Sequence, residues 1–205
     1  MNGLLVGPFQ RTVGRFGSES SGLEFDRSGS RAVLETVFPE NRNRGWRNGY
    51  AKINLLVSMP AGMDTRIVDG SGHANVSGTG DLNIDDGSGH LELREIGGEL
   101  NVEDGSGHVE IFDVAGGVHL EDGSGTITIS GVEGSVTLDD GSGTVEIEDV
   151  RENVTVTDKG SGRIEVRDVA GDLSVSGTRR ERIRYDNISG TLDLPEPRRR
   201  GRGHR

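Results

Sequence analysis

The sequence predicts an all-β protein: a single-stranded, right-handed parallel β-solenoid of about 18 residues per coil in two nine-residue halves, with an N-terminal β cap. Three observations predict it. The tetrapeptide Asp-Gly-Ser-Gly recurs from Asp69, Asp86, Asp104, Asp122 and Asp140, at spacings of 17, 18, 18 and 18, and a fixed period of this size marks a stacked repeat. Between copies, aliphatic and polar residues alternate, as in Leu91 and Leu93, Leu100 and Val102, Val109 and Ile111. Period two over five residues is a strand with one buried face. The third is composition. With 34 Gly, 4% aromatic residues and 31% hydrophobic residues, the chain suits a slot about 10 Å thick between two sheets, which aliphatic side chains of one size fill and large rings do not.

Residues 1–22 read as an N-terminal extension. The apolar run Leu4, Leu5, Val6 is too short for a signal-peptide core and follows no basic start, so no leader is expected there. Residues 23–68 read as the N-terminal β cap, since an open coil presents unpaired backbone groups. Within them, 23–26, 31–38 and 53–59 carry strand signals. The polar stretch 41–49 is a long turn holding Trp46 between Arg44 and Arg47. That ring either folds back on the cap or stacks on a sugar or base.

Residues 69–195 are the solenoid. One half-coil reads GHLELREIG from Gly89 and recurs from Gly107, Gly125 and Gly143; the other reads GELNVEDGS from Gly98 and recurs from Gly116 and Gly134. A triangular left-handed β-helix also uses 18 residues per coil, but as three hexapeptides. A repeat of nine selects two straight sides instead, and parallel strands joined within one sheet cross right-handedly. An antiparallel meander of nine-residue strands is the competing topology. Ile183, Tyr185, Leu192 and Leu194 belong to a last, irregular coil. Pro195 and Pro197 cannot donate to a further strand, which favours a monomer over an end-to-end filament. Residues 196–205, with five Arg, read as a basic disordered tail.

Charge and motifs exclude several functions. Between Asp69 and Thr178 there are 24 acidic and 5 basic residues, while residues 179–205 hold 9 Arg and 4 acids. An acidic body argues against nucleic acid as a partner, because that face must neutralise phosphates. No apolar run nears the roughly 20 residues of a membrane span. The absence of Cys removes disulfides, thiolate metal sites and a Cys nucleophile. Gly-x-Ser-x-Gly elbows, Walker loops and His-Glu-x-x-His are missing, so the chain is expected not to be an enzyme.

The lead-in Ile53-Asn54-Leu55-Leu56-Val57-Ser58-Met59-Pro60-Ala61-Gly62, the Gly-Ser-Gly repeats and the closing Ile183-Arg184-Tyr185-Asp186-Asn187-Ile188-Ser189-Gly190-Thr191-Leu192-Asp193-Leu194-Pro195 occur in that order. In this the chain resembles, over residues 23–195, the bacterial adhesin-type family of β-strand-repeat domains of unknown function. The resemblance implies a non-enzymatic structural protein of the cell envelope or surface, extracytoplasmic in location, with a surface protein or glycan as partner. It carries no catalytic residues over. A polymer-forming scaffold like the bactofilins and a cation-dependent binding module are the alternatives.

Two ladders are candidate sites. Asp86, Asp104, Asp122 and Asp140, with the acids before them, are expected to stack into an acidic edge. Hard oxygen donors on Gly-rich corners suit Ca²⁺; alternatively each Asp closes its own Gly-Ser corner as an Asx-turn. No other cofactor is expected. His73, His90 and His108 follow the tetrapeptide on three successive coils and point outward. Neighbouring imidazoles could share a transition metal, or merely form a polar surface stack. Asn83, Asn101, His119, Thr137, Thr155 and Ser174 form a small polar outer face. Phe112 is expected to point outward between Arg94 and Ser130.

Overall fold

The computed structural model describes residues 22–29, 31–37, 54–158, 160 and 162–197. Residues 1–21, the 41–49 turn with Trp46, and the tail from 198 lie outside them. The chain divides into two units, residues 1–60 and 61–205.

In the first unit, β1 (Gly22–Ser28) and β2 (Arg31–Val37) form a two-stranded antiparallel sheet, with Gly22 opposite Val37 and Ser28 opposite Arg31. Gly29 follows β1 at φ 62°, the left-handed conformation that hairpin turns require. Both expected strands are therefore present. The third is not: residues 54–60 form no strand, and Leu55, Leu56 and Val57 are exposed. These three apolar residues are consecutive, so a strand there would have no single face to bury.

The second unit is the solenoid. In chain order its strands are β3 (Thr65–Asp69), β4 (Gly72–Ser77), β5 (Leu82–Asp86), β6 (Gly89–Ile96), β7 (Leu100–Asp104), β8 (Gly107–Val114), β9 (Val118–Asp122), β10 (Gly125–Val132), β11 (Val136–Asp140), β12 (Gly143–Val150), β13 (Val154–Asp158), β14 (Arg163–Val169), β15 (Leu173–Ser176), β16 (Ile183–Ile188) and β17 (Leu192–Asp193). Odd strands from β3 make an eight-stranded sheet and even strands from β4 a seven-stranded one, each in sequence order. Every pairing within the two sheets is parallel. This is a two-sided solenoid of seven turns, not a meander. It begins earlier than expected, because β3 already pairs with β5 and so belongs to the first coil rather than to a cap.

The core is a stack of like residues. Leu91, Val109, Ile127, Val145 and Ile164 form one inward column, each paired with the next, and all are at most 1% exposed. Aliphatic side chains within about a methylene of one another keep so thin a layer filled, where a ring would not fit. The one-residue insertions fall at corners and leave the columns aligned. Past Lys159, Thr144 pairs with Arg163, and past Arg179 a single 3₁₀ turn, Arg180–Arg182, precedes β16.

One corner departs from simple alternation. Glu95, Asp113, Asp149, Asp168 and Asn187 have φ between 52° and 58°, and Gly131 fills the same place at 73°. This left-handed residue turns the next side chain inward, which is why Ile96, Val114, Val132, Val150 and Val169 are buried. Asp, Asn and Gly tolerate that conformation; a longer side chain costs about 1 kcal/mol more. Glu95 is the outlier and is exposed. Glu95→Asn should therefore stabilise the solenoid by about 0.5–1 kcal/mol, seen as a melting temperature higher by about 1–4 °C. An unchanged or lower melt would contradict the strain assigned to this corner.

Candidate functional site

Alternation along β5 sends Leu82 and Ile84 inward and Asn83 and Asp85 outward, so the last residue, Asp86, points inward as well. β7, β9, β11 and β13 repeat this. The register stacks Asp86, Asp104, Asp122, Asp140 and Asp158 into one column, and all five are buried, with Asp140 1% and Asp158 0% exposed. The expected acidic edge thus divides. Asp85, Glu103, Glu121 and Asp139 line the outer face, while the four aspartates assigned to Ca²⁺ lie beneath it on the core side. Stacking supplies one carboxylate per coil, and these four do not bring three ligand atoms to a common point. Ca²⁺ takes six to eight oxygens. The expected single edge is therefore an inward carboxylate column and a separate outer row, because period two places neighbouring acids on opposite faces.

The Asx-turn alternative is present. Oδ1 of Asp104 accepts the Ser106 amide at 3.3 Å, Oδ1 of Asp122 that of Ser124 at 3.2 Å, and Oδ1 of Asp158 that of Gly160 at 2.7 Å. These bonds leave much of the column unsatisfied. Asp86 Oδ1, Asp122 Oδ2, Asp158 Oδ2 and both oxygens of Asp140 are buried without a protein partner. Buried ionised carboxylates in a stack repel and lose hydration. Burial first, then Asp104 and Asp69, raises the pKa of Asp86; burial also raises that of Asp104. Burial, then the flanking Asp104 and Asp140, pushes Asp122 up to about 6. Burial, then Asp158, pushes Asp140 up to about 6. A protonated Asp122 can donate to Asp104, so the column can bind protons in mildly acidic solution.

The second ladder lies on the outer face of the even-numbered sheet. His73, His90 and His108 are register partners on β4, β6 and β8. The His90 and His108 rings stack at 5.1 Å with 10° between their planes, and His73 stands edge-on to His90 at 5.4 Å. Glu110 completes the group. His90 Nε2 is 3.4 Å from Glu110 Oε2, and His108 Nε2 is 3.4 Å from Glu110 Oε1. Among the described residues this is the one group of three metal-ligating side chains that converges. Sequence reasoning found the imidazoles and missed the carboxylate. The signal was available, since His108-Val109-Glu110 on a strand puts His and Glu on one face. His119 and Glu121 repeat the spacing on the other sheet, at 3.5 Å.

Around this group the other charges are engaged. Glu92, beside Glu110 in register, is paired with Arg94. The Arg94 guanidinium lies 4.1 Å over the Phe112 ring, so the outward Phe112 expected from sequence has one ring face covered by a cation. On the opposite sheet, Asn83, Asn101, His119, Thr137, Thr155 and Ser174 do form one outward column. Near the last coils, Arg163, Arg182, Arg184 and Glu181 line a shallow polar hollow with Gly143, Thr144 and Gly162.

A further set of acids holds the coils together. Asp81 Oδ1 accepts the Glu99 amide at 2.9 Å, Glu99 Oε2 that of Gly117 at 3.1 Å, and Asp172 Oδ1 that of Thr191 at 2.6 Å. Each carboxylate takes a backbone donor from the coil after its own, a charge-assisted bond. No helix among the described residues is long and apolar enough to cross a membrane. No family model matches the chain, and neither a curated protein nor a solved structure does.

Proposed function

We propose that the chain is a non-enzymatic structural β-solenoid of a bacterial cell envelope or surface, monomeric, whose flat outer faces bind a surface protein or glycan. One observation carries the reading. The outer column from Asn83 to Ser174 stays small and polar across six coils. Such a face suits broad, shallow contact with a polymer or a partner sheet. The insertions within the coils are single residues, too short to wall a catalytic cleft. Against a polymerising scaffold stand Pro195 and Pro197, just past the two-residue β17. They withhold backbone donors from any added strand.

Fractionation of the native cells tests this reading. The protein is expected in the extracytoplasmic or envelope fraction, and as single particles in negative stain at micromolar concentration. Recovery in the cytosol would overturn the location, and filaments in the images would overturn the monomer.

A further inference from the structure

We propose that His90, His108 and Glu110 form a surface site for one divalent transition-metal ion of the zinc type. The inference is independent of where the protein resides or what its outer faces bind.

The distances are the first argument. A charged N–H···O bond closes to about 2.7–2.9 Å, yet both imidazoles stand 3.4 Å from the Glu110 carboxylate. A tetrahedral ion with arms of 2.0–2.1 Å sets its ligands about 3.3 Å apart. Both imidazole–carboxylate separations match that spacing, and the ligand atoms of all three side chains lie within 4.8 Å of one another. The second argument is chemistry. Two imidazoles stacked at 5.1 Å repel if both are protonated. Neutral, they offer two borderline-soft nitrogens, and Glu110 adds one negative charge, a donor set that suits Zn²⁺, Cu²⁺ or Ni²⁺ rather than Ca²⁺ or Mg²⁺.

The third argument is preorganisation. The ligands sit on adjacent hydrogen-bonded strands, with His90 paired to His108 and Glu92 to Glu110. Because Arg94 engages Glu92, Glu110 is the carboxylate turned toward the imidazoles. His90, His108 and Glu110 are all half-buried, so an ion there keeps positions open to solvent. The next coil ends the site, with Thr126 beneath His108 and Thr128 beneath Glu110.

Calorimetric titration of the full chain with Zn²⁺ tests this. One ion per chain is expected, with the His90 and His108 ring resonances shifting in NMR and millimolar Ca²⁺ or Mg²⁺ failing to compete. His108→Gln and Glu110→Gln should each weaken binding about tenfold or more. His119→Gln, and His204→Gln outside the described residues, should leave it unchanged. The ligand side chains lie on an outer face, so the metal-free melts of these variants should match the parent, which separates lost binding from lost fold. Absence of Zn²⁺ binding, affinity unaltered by His108→Gln and Glu110→Gln, or equal losses from His119→Gln would overturn the site.

Discussion

Gly125→Ala should destabilise the solenoid by about 4 kcal/mol or more, the range reserved for a steric conflict that cannot relax. From the second coil to the sixth, the odd strand turns into the even strand at a glycine, Gly89, Gly107, Gly125, Gly143 and Gly162, lying directly over that of the coil before. A Cβ on Gly125 would stand 2.0 Å from the Gly107 carbonyl oxygen and 2.9 Å from its carbon. Both are backbone atoms, and they are fixed from either side. The Gly107 amide donates to Ser124 O at 3.0 Å and the Gly125 amide to Ser142 O at 3.1 Å. Relief requires parting two coils, and parting them breaks the ladders of both sheets. A far-UV circular dichroism melt should fall by about 10 °C or more. Gly70→Ala is the control: its Cβ would meet nothing within 4 Å, so its melt should shift by no more than about 2 °C. Equal melts for the two variants would show that the corners do not stack this closely.

The aspartate column should make the protein more stable at pH 5 than at pH 7, the reverse of ordinary acid denaturation. The sign follows from direction. Asp86, Asp104, Asp122 and Asp140 have folded-state pKa values above the ordinary 3.8, with Asp122 and Asp140 at about 6. The folded state therefore holds protons that the unfolded chain releases. The column's contribution is complete below the ordinary value of 3.8, falls as pH rises toward about 6, and levels off above. One pKa unit corresponds to about 1.4 kcal/mol. Some hydration and the sharing of protons along the column reduce this, leaving about 1–2 kcal/mol for each of Asp122 and Asp140.

Asp122→Asn should recover most of that share at pH 7. Asparagine removes the charge, still accepts the Ser124 amide, and can donate to the neighbouring carboxylates. Its melt should rise by about 2–6 °C at pH 7 and vary less with pH than the parent's. A parent melt that climbs steadily from pH 5 to pH 7, or a loss of stability in Asp122→Asn at pH 7, would contradict the proton-binding column. A melt raised by millimolar Ca²⁺ and blind to Ca²⁺ in Asp122→Asn would assign the column to a cation instead.

Much of the fold was legible because periodicity is a strong signal and the repeat carries two periods at once. The tetrapeptides set the coil, and the alternation of Leu91 with Leu93 or Val118 with Leu120 set the faces. Other features were less legible, each for a physical reason. The corner at Glu95 and Asp113 depends on a left-handed residue, which resets the alternation and carries Ile96 and Val114 inside. Asp86 is inward by the same count that buries Leu82 and Ile84. A carboxylate in a core runs against the usual cost of burying charge, and that made the outer edge the natural expectation. Residues 53–59 have the composition of a strand without its alternation, and those described form none. At the candidate metal site the histidines stood out by repetition. Glu110 did not, because acids are common throughout the repeat, and only the register shows that Arg94 takes Glu92 and leaves Glu110 to the imidazoles.

The central claim is that the strands stack in parallel, coil on coil, and one distance tests it most directly. The chain lacks Cys, so spin labels can be attached through Asn83→Cys and Ser174→Cys alone. Both positions lie on the outward column of the odd-numbered sheet, on β5 and β15, five pairings apart. At about 4.8 Å per strand, a pulsed electron–electron resonance measurement should give a separation near 24 Å. A meander of nine-residue strands would place ten strand spacings between the same labels, about 48 Å. A narrow distribution near the shorter distance is what the solenoid predicts; one near the longer distance would contradict it.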